Sequence, residues 1–209
     1  MKGSIDFSGQ SIMAFDDDIT DLILLKNSAM IAKIFEKIDG LWLEMGTGSG
    51  RTARSIIRFL PKDKKLYTFD CFTGLPEDWS IYKKHDFAQD APQLDFDKAE
   101  IIAGLFEDTL PVFVEEHKEN IAFLHIDCDL YSSTKTVFKY LKDRIVPGTI
   151  IVFDELHGYI KNESVDDNQE ARAFLEYTKE NNIEYEFFSY TPRGNQAACI
   201  IKGTRRENV

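Results

Sequence analysis

The stretch Leu41-Trp-Leu-Glu-Met-Gly-Thr-Gly-Ser-Gly50 decides the fold of this chain. Leu41, Trp42 and Leu43 are an apolar run typical of a short buried strand, and the glycines that follow precede a helix predicted to begin near Arg51. Glycine tolerates positive φ and has no side chain, so backbone N–H groups and the helix N-terminus can approach a polar ligand closely. The stretch therefore predicts a strand, a glycine loop and a helix, with a small cofactor bound at the loop.

The spacing of the glycines narrows the kind of cofactor. A dinucleotide fingerprint, Gly-x-Gly-x-x-Gly counted from Gly46, would place its third glycine at position 51, which is Arg51. A phosphate loop ends in Gly-Lys-Ser/Thr, which this stretch lacks. What remains is Glu-x-Gly-x-Gly-x-Gly, the pattern of class I S-adenosylmethionine-dependent methyltransferases. Glycine-rich turns also occur as plain packing turns, so the loop alone leaves that alternative open.

Length and charge indicate one domain with a small substrate. We expect a single domain over residues 1–209, with an N-terminal helical segment at 1–39 that contains an amphipathic helix over 17–38. The net charge of −11 argues against nucleic acid or an anionic membrane as partner, because both are bound through clustered Lys and Arg. No apolar run approaches the ~18 residues of a membrane span. The N-terminus lacks the apolar stretch of a secretory signal, so we expect a cytoplasmic protein.

The cysteines suggest neither a disulfide framework nor a zinc site. Cys71, Cys128 and Cys199 are scattered and show no Cys-x-x-Cys spacing. We expect them to behave as small buried hydrophobes in strands or at strand ends.

Acidic residues recur where predicted strands end. After the first strand, further strands are predicted at 66–70, 100–104, 121–126 and 149–153, followed by a hairpin of 184–190 and 196–201. Asp70 ends the second strand, Asp127 follows the fourth, and Asp154 and Glu155 follow the fifth. Because open α/β sheets bind ligands at the carboxyl ends of their strands, these acids are expected to line one site. Asp70 lies twenty residues beyond Gly50, at the end of the next parallel strand. In doubly wound folds a carboxylate at this position binds the ribose diol of a cofactor.

The segments between the strands are predicted to be mostly helical. Helices are expected at 52–60, 112–118, 135–142 and 168–179, with Ser132 to Thr134 as N-cap candidates for the third. Residues 71–99 are rich in turn-forming residues and long for a bare loop, so we predict a lid or substrate-side insertion there.

Four longer motifs make a family resemblance specific. They are Phe69-Asp-Cys-Phe-x-Gly-Leu-Pro-Glu77, Gly104-Leu-Phe-Glu-Asp-Thr-Leu-Pro111, His125-Ile-Asp-Cys-Asp-Leu-Tyr-Ser-Ser-Thr134, and Pro147-Gly148 leading to Asp154-Glu155. With them the chain resembles, over about residues 41–201, the macrocin O-methyltransferase-like family of class I methyltransferases.

The resemblance implies a fold, a cofactor and a reaction. The fold is α/β, a Rossmann-like three-layer sandwich with a seven-stranded, mostly parallel sheet and a C-terminal antiparallel hairpin. The cofactor is S-adenosyl-L-methionine, and the reaction methylates a hydroxyl of a small sugar-like or glycosylated acceptor. The glycines would face the methionine moiety, Asp70 the ribose, and Leu105 and Phe106 the adenine. The cofactor-binding residues are then Glu44, Gly46, Thr47, Gly48, Gly50, Asp70, Leu105 and Phe106.

The resemblance also implies a divalent cation, Mg²⁺, held by Asp127, Asp154 and Glu155. Relatives usually carry Asp-Asp where this chain has Asp154-Glu155, but glutamate can also ligate a hard cation through oxygen. Independently of the family, three clustered carboxylates repel one another, so their convergence predicts either a cation or raised pKa values. A bound cation would lower the pKa of the acceptor hydroxyl and orient it.

Three residues are candidates for the catalytic base. Asp127 could serve as both ligand and proton acceptor, Asp129 is an alternative base that could instead cap the following helix, and His157 follows the acidic pair closely. His125, inside a predicted strand, is expected to be a packed histidine.

Two other functions stay open on the sequence. One is a metal-independent methyltransferase in which Asp154 and Glu155 bind polar groups of another small acceptor. The other is a non-catalytic module that binds the cofactor or a partner. The oligomeric state is not determined by the sequence, and a homo-oligomer is one option.

Overall fold

Strands and helices alternate along the chain and build one sheet with helices against its faces. The computed structural model describes residues 13–14, 28–29, 32, 38–95, 97–156, 169–191 and 196–204. The strands are β1 (Met13–Ala14), β2 (Leu41–Met45), β3 (Leu66–Asp70), β4 (Ala99–Ala103), β5 (Ile121–Ile126), β6 (Ile150–Phe153), β7 (Ile183–Tyr190) and β8 (Ala197–Thr204). The helices whose bounds are described are α1 (Arg51–Ile57), α2 (Phe106–Glu116), α3 (Tyr131–Leu141), a 3₁₀ helix (Lys142–Arg144) and α4 (Gln169–Glu180).

The strand order in the sheet is β1-β7-β8-β6-β5-β2-β3-β4. Strands β4, β3, β2, β5 and β6 run parallel, whereas β8 is antiparallel to both β6 and β7. The predicted Rossmann-like sheet, mostly parallel with an antiparallel C-terminal hairpin, is confirmed. The two-residue β1 pairs with β7 and adds an eighth strand, which the sequence did not predict because two residues carry no periodic signal.

The apolar run of β2 explains why this strand lies in the interior. Leu43 and Met45 are fully buried on one face of the sheet, where they pack with Phe69. Trp42 points to the other face and stacks on Phe123 with ring centroids 4.9 Å apart. Burial of one such side chain stabilises the fold by about 1.5–3 kcal/mol, so the strand that carries the glycine loop is firmly held.

Two helices begin earlier than the sequence predicted. Helix α2 begins at Phe106 instead of about residue 112. Its acidic first turn favours a helix N-terminus there, and Pro111 lies inside the helix. Helix α3 begins at Tyr131, so the N-cap is Leu130 and not one of the residues Ser132 to Thr134. Thr134 instead donates from Oγ1 to the carbonyl of Leu130 at 2.9 Å.

Part of the predicted N-terminal helix lies outside the described residues. Within it, Ser28, Ala29 and Ala32 are helical, and Ala29 is buried beside Trp42 in the core. No helix in the described part of the chain has the length and apolar character needed to cross a membrane. All three cysteines are free thiols, of which Cys199 in β8 is buried.

Candidate active site

A cavity of about 460 Å³ opens at the carboxyl edge of the parallel strands. Its walls include residues at or just after the ends of five strands, namely Gly46, Asp70, Gly104, Asp127 and Asp154. The cavity lies where the strand order reverses, between β2 and β5. This is the place where open α/β sheets bind ligands, and the volume suits a small molecule.

The glycine loop forms one wall of the cavity, as the sequence predicted. Gly46, Thr47 and Gly48 line it. Gly46 has φ 102° and needs to be glycine, because a Cβ there would collide with the carbonyl oxygen of Asp127. Gly50, also predicted to bind the cofactor, is not among the residues that line the cavity, and a Cβ on it would meet the side chain of Leu94 at 2.9 Å.

Asp70 organises the glycine loop and also lines the cavity. Its Oδ2 accepts hydrogen bonds from the backbone N–H of Thr47 at 3.1 Å and of Gly48 at 2.8 Å. Its Oδ1 accepts from the N–H of Phe72 at 2.8 Å. Because a carboxylate offers about four lone-pair sites, accepting capacity remains on the side of the cavity.

Glu44, predicted from the sequence to bind the cofactor, is not among the residues that line the cavity. Its side chain is fully buried inside the sheet. Oε2 accepts from the hydroxyl of Thr68 at 2.6 Å, and Oε1 lies 3.3 Å from Nδ1 of His125. The hydroxyl of Thr68 is also 2.6 Å from that of Thr47 in the glycine loop. Glu44 therefore reaches the site only through its neighbours.

The opposite wall comes from the start of α2 and from the segment 71–95. Leu105 and Phe106, which the family resemblance places at the adenine, line the cavity. Residues of the predicted lid line it as well, and they are Cys71, Gly74, Leu75, Pro76, Trp79, Tyr82, Phe87 and Gln89. The end of this segment is tied to the glycine loop, because Arg54 donates to the carbonyls of Ser49 at 2.9 Å and Gln93 at 3.0 Å.

A cluster of ionisable groups lies at the cavity, where Asp127 and Asp154 are lining residues, whereas the fully buried His125 is not. Side-chain ligand atoms of His125, Asp127 and Asp154 all lie within 4.8 Å of one another. This group differs from the predicted trio, because the carboxyl group of Glu155 instead forms a hydrogen bond with Asp129. Both of those residues still line the same cavity.

Burial and mutual repulsion perturb the acids of this cluster. Removal from water, reinforced by the charge of Asp154, raises the pKa of Asp127 well above its usual value. Burial also raises the pKa of Asp129, and burial together with Asp129 raises the pKa of Glu155 to about 12. The carboxyl groups of the cluster therefore favour their protonated forms, and raised pKa values are one of the two outcomes expected from the sequence for converging carboxylates.

Asp129 does not cap the following helix. Leu130 is the N-cap residue of α3, and no side chain makes a cap hydrogen bond there. Asp129 adopts φ 62°, a left-handed conformation. Its carboxyl group is then available at the cavity beside Glu155. His157, the other candidate base, lies outside the described residues.

Two residues that the sequence did not single out support the cluster from behind. Glu170, in the first turn of α4, is fully buried and accepts from the backbone N–H of Cys128 and of Glu155, both at 3.3 Å. Gln196, just before β8, donates from Nε2 to Oδ1 of Asp154. An acid in a first helical turn is common for reasons of helix stability, and nothing in the sequence marks Gln196.

The fold and the position of the cavity define a Rossmann-like α/β protein with a small-molecule cavity at the carboxyl edge of its sheet. A sequence profile of the family described as a methyltransferase domain matches residues 43–156, which is more than half of the chain. The chain belongs to this methyltransferase family, and it is an enzyme. No curated protein matches the chain.

Solved structures of methyltransferases share the fold. CalS11, a calicheamicin methyltransferase, is 18% identical with a TM-score of 0.65, over 86% of this chain and 78% of its own. The O-methyltransferase NovP is 19% identical with a TM-score of 0.62, and the match covers 88% of this chain and 79% of NovP. TomG from Streptomyces achromogenes is an O-methyltransferase of tomaymycin synthesis whose structure was solved with S-adenosylmethionine. It is 17% identical with a TM-score of 0.59, and the match covers 89% of this chain and 84% of TomG. At these identities the likeness shows the fold.

Proposed function

We propose that the chain is an S-adenosylmethionine-dependent O-methyltransferase that acts, with a divalent cation, on a hydroxyl of a small sugar-like or glycosylated metabolite. The observation that carries the proposal is a single cavity joining the glycine loop at Gly46 to Gly48 with the acid cluster at Asp127 and Asp154. A methyl donor at one end and an activated hydroxyl at the other need this arrangement. The resemblance to the macrocin O-methyltransferase-like family supports the same assignment.

The cofactor would occupy the glycine-loop end of the cavity. S-adenosylmethionine supplies a methyl group activated by a positively charged sulfur. On this proposal Gly46 and Gly48 leave room for the methionine moiety, Asp70 accepts from the ribose, and Phe106 packs against the adenine. The similar structures of TomG and of a Bacillus cereus O-methyltransferase were solved with S-adenosylmethionine and with SAH, respectively.

The acceptor would bind under the lid. Trp79, Tyr82 and Phe87 bring aromatic surface to the cavity, while Ser133 and Gln89 bring hydrogen-bonding groups. Aromatic faces with a few polar groups suit a ring that carries hydroxyls, such as a sugar. CalS11 is described as a TDP-rhamnose 3′-O-methyltransferase, which supports a sugar-like acceptor. We propose that residues 71–99 act as the lid of a single-domain enzyme.

The residues of the acid cluster fit a divalent cation. Oε2 of Glu155 is buried without a hydrogen-bond partner among the described residues, and burial, reinforced by mutual repulsion, raises the pKa of Asp127 and of Glu155. A bound cation would give Oε2 of Glu155 a partner and would offset the repulsion between the carboxylates. Asp127 and Asp154 would hold it, with Glu155 adjacent on the same loop as Asp154. Once bound, it would lower the pKa of the acceptor hydroxyl.

Asp129 is the residue we propose as proton acceptor. It lines the cavity, and burial raises its pKa toward the range in which a carboxylate removes a proton effectively. Asp127 is the alternative, but its position between His125 and Asp154 suits a ligand better. His157 stays a prediction for the same role.

A methyl-transfer assay tests the proposal. Purified protein is incubated with S-adenosylmethionine labelled in its methyl group and a panel of nucleotide sugars and glycosides, with a divalent cation or with a chelator. We expect label in a sugar hydroxyl, lost with chelator and lost in Asp127→Ala. Asp63→Ala, an exposed acid in the loop before β3, is the matched control and should transfer normally. Normal turnover by Asp127→Ala would refute the mechanism, and turnover that survives the chelator would indicate the metal-independent alternative.

A further inference from the structure

We propose that the imidazole of His125 is a ligand of the divalent cation, beside Asp127 and Asp154, and that Glu44 orients it. The inference rests on the proposed function, because it assumes that a cation binds at this end of the cavity. It changes the ligand set from oxygen alone to a mixture of nitrogen and oxygen. It therefore also changes the kind of metal ion that the site should prefer.

The first observation is an unsatisfied nitrogen in the interior. His125 is fully buried at the end of β5, and its Nε2 has no hydrogen-bond partner among the described residues. Buried polar atoms are almost always paired, so an unpaired one calls for an explanation such as an ion. One nitrogen of this ring and carboxylate oxygens of Asp127 and Asp154 lie within 4.8 Å of one another. Three such atoms could contact one metal ion after small side-chain adjustments.

The second observation concerns the other nitrogen of the ring. Nδ1 of His125 lies 3.3 Å from Oε1 of Glu44, which is also fully buried. Thr68 fixes the opposite oxygen of Glu44 through a hydrogen bond of 2.6 Å. A carboxylate in this position keeps the proton on Nδ1 and leaves the lone pair of Nε2 free. Histidines that ligate metals are held by carboxylates in the same way.

The strand pairing explains why these groups converge. Glu44 and His125 lie directly opposite each other on the neighbouring parallel strands β2 and β5. Asp127 follows two residues later, so its side chain leaves the chain on the same face as His125. Val152 pairs with His125 from β6, and Asp154 is again two residues further. The register of three strands therefore places the imidazole directly beneath the two acids.

The ligand set predicts the class of metal. Imidazole suits transition metals such as Fe²⁺, Co²⁺, Ni²⁺ and Zn²⁺, whereas Mg²⁺ and Mn²⁺ prefer oxygen ligands. The imidazole should therefore give the site a preference for Co²⁺ over Mg²⁺ that exceeds the preference of an oxygen-only site. If His125 instead acted as an internal cation paired with the acids, no such preference would follow.

The direct test is electron paramagnetic resonance of Mn²⁺ bound to the full-length protein. Protein is produced with ¹⁵N-labelled histidine and, separately, with natural nitrogen, and pulsed spectra are recorded for each. We expect a hyperfine coupling to nitrogen that changes with the isotope. This measurement needs no substitution, so a variant that fails to fold cannot leave the inference undecided.

Two variants and one control sharpen the result. His125→Gln should lose the nitrogen coupling and most of the preference for Co²⁺ over Mg²⁺ in calorimetry. Glu44→Gln should keep the coupling but weaken Mn²⁺ binding by about 10- to 100-fold, as expected for loss of an orienting carboxylate. His117→Gln is the control, because His117 follows α2 and stacks on Phe113, away from the cavity. It should resemble the parent protein.

The outcomes separate this inference from the proposed function. Bound Mn²⁺ without nitrogen coupling would overturn the role of His125 and leave the cation and the methyltransferase assignment standing. Absence of Mn²⁺ binding, with S-adenosylhomocysteine still bound, would overturn both the ligand assignment and cation assistance. Nitrogen coupling that persists in His125→Gln would assign the ligand to another histidine and refute the proposal.

Discussion

The carboxylate of Glu170 accepts a hydrogen bond from the backbone N–H of Cys128 at 3.3 Å, across 42 residues of sequence. The other oxygen of Glu170 accepts from the N–H of Glu155 at the same distance. One buried side chain therefore ties together the two loops that carry Asp127 and Asp154. The acids of the site keep their mutual positions because helix α4 holds both loops.

Replacement of Glu170 should disturb the cation site without touching the cofactor. Glu170→Ala removes two buried hydrogen bonds, each worth about 1 kcal/mol. We expect Mn²⁺ affinity, measured by calorimetry, to fall about 10- to 100-fold while S-adenosylhomocysteine binding changes little. Glu180→Gln, an exposed acid on the same helix, is the control. Unchanged Mn²⁺ affinity in folded Glu170→Ala would show that the loops hold their positions without it.

The glycines of the loop should differ in what they tolerate. Gly48 has φ 47°, and among the described residues a Cβ there would meet nothing closer than Gln89 at 3.6 Å. Gly48→Ala should therefore cost about 1–3 kcal/mol of unfolding free energy from backbone strain alone. Gly46→Ala should cost more, because its Cβ would also collide with the carbonyl of Asp127. Urea unfolding of the two variants measures the difference. Equal losses would contradict the described packing of the loop.

Stability without a cation should fall as the pH rises. Burial and repulsion raise the pKa of Asp127 and Glu155, so the folded chain binds more protons than the unfolded chain above the ordinary carboxyl range of about pH 4. The free energy of unfolding therefore decreases from about pH 5 to about pH 8, and a bound cation should restore it most at the upper end. Thermal unfolding with chelator and with Mn²⁺ measures both effects.

The control for that experiment is Asp127→Asn, which removes one of the titrating groups and should flatten the pH dependence in chelator. A melting temperature that rises with pH in the absence of cation would mean that the cluster is compensated by groups within the protein.

Tryptophan fluorescence should report ligand binding through the lid. The chain has two tryptophans, and only Trp79 lines the cavity, where it stacks on Tyr82 at 5.5 Å. Trp42 is buried against Phe123 in the core. We expect S-adenosylhomocysteine or an acceptor to change the emission of the parent protein and of Trp42→Phe. If the ligand-induced change in emission survived in Trp79→Phe, Trp79 would not be the reporter, and its proposed position beside the ligand would be contradicted.

Much of the fold was predictable because its signals are local. The apolar run before Gly46 predicts a buried strand, and acids at strand ends predict a ligand-binding edge, since both follow from short stretches of sequence. The helix starts at Phe106 and Tyr131 were missed because neither has a capping side chain. Helix propensity alone then predicts that each of these helices begins several residues too late.

The details of the site were less predictable because they depend on contacts across the sheet. The pairing of Glu44 with His125 spans 81 residues, and that of Gln196 with Asp154 spans 42. No local pattern encodes which buried polar groups will meet. The motif around Glu44 predicts a role in cofactor binding, and only the folded structure shows that this side chain is buried inside the sheet.

The most direct test of the account is isothermal titration calorimetry of the purified protein with S-adenosylmethionine and S-adenosylhomocysteine. We expect micromolar binding of both, on the order of −8 kcal/mol. Binding should be abolished in Gly48→Val, whose larger side chain would occupy the glycine-loop end of the cavity, while circular dichroism shows the fold retained. Failure of the folded parent protein to bind either compound would contradict the assignment of the cavity to a methyl donor.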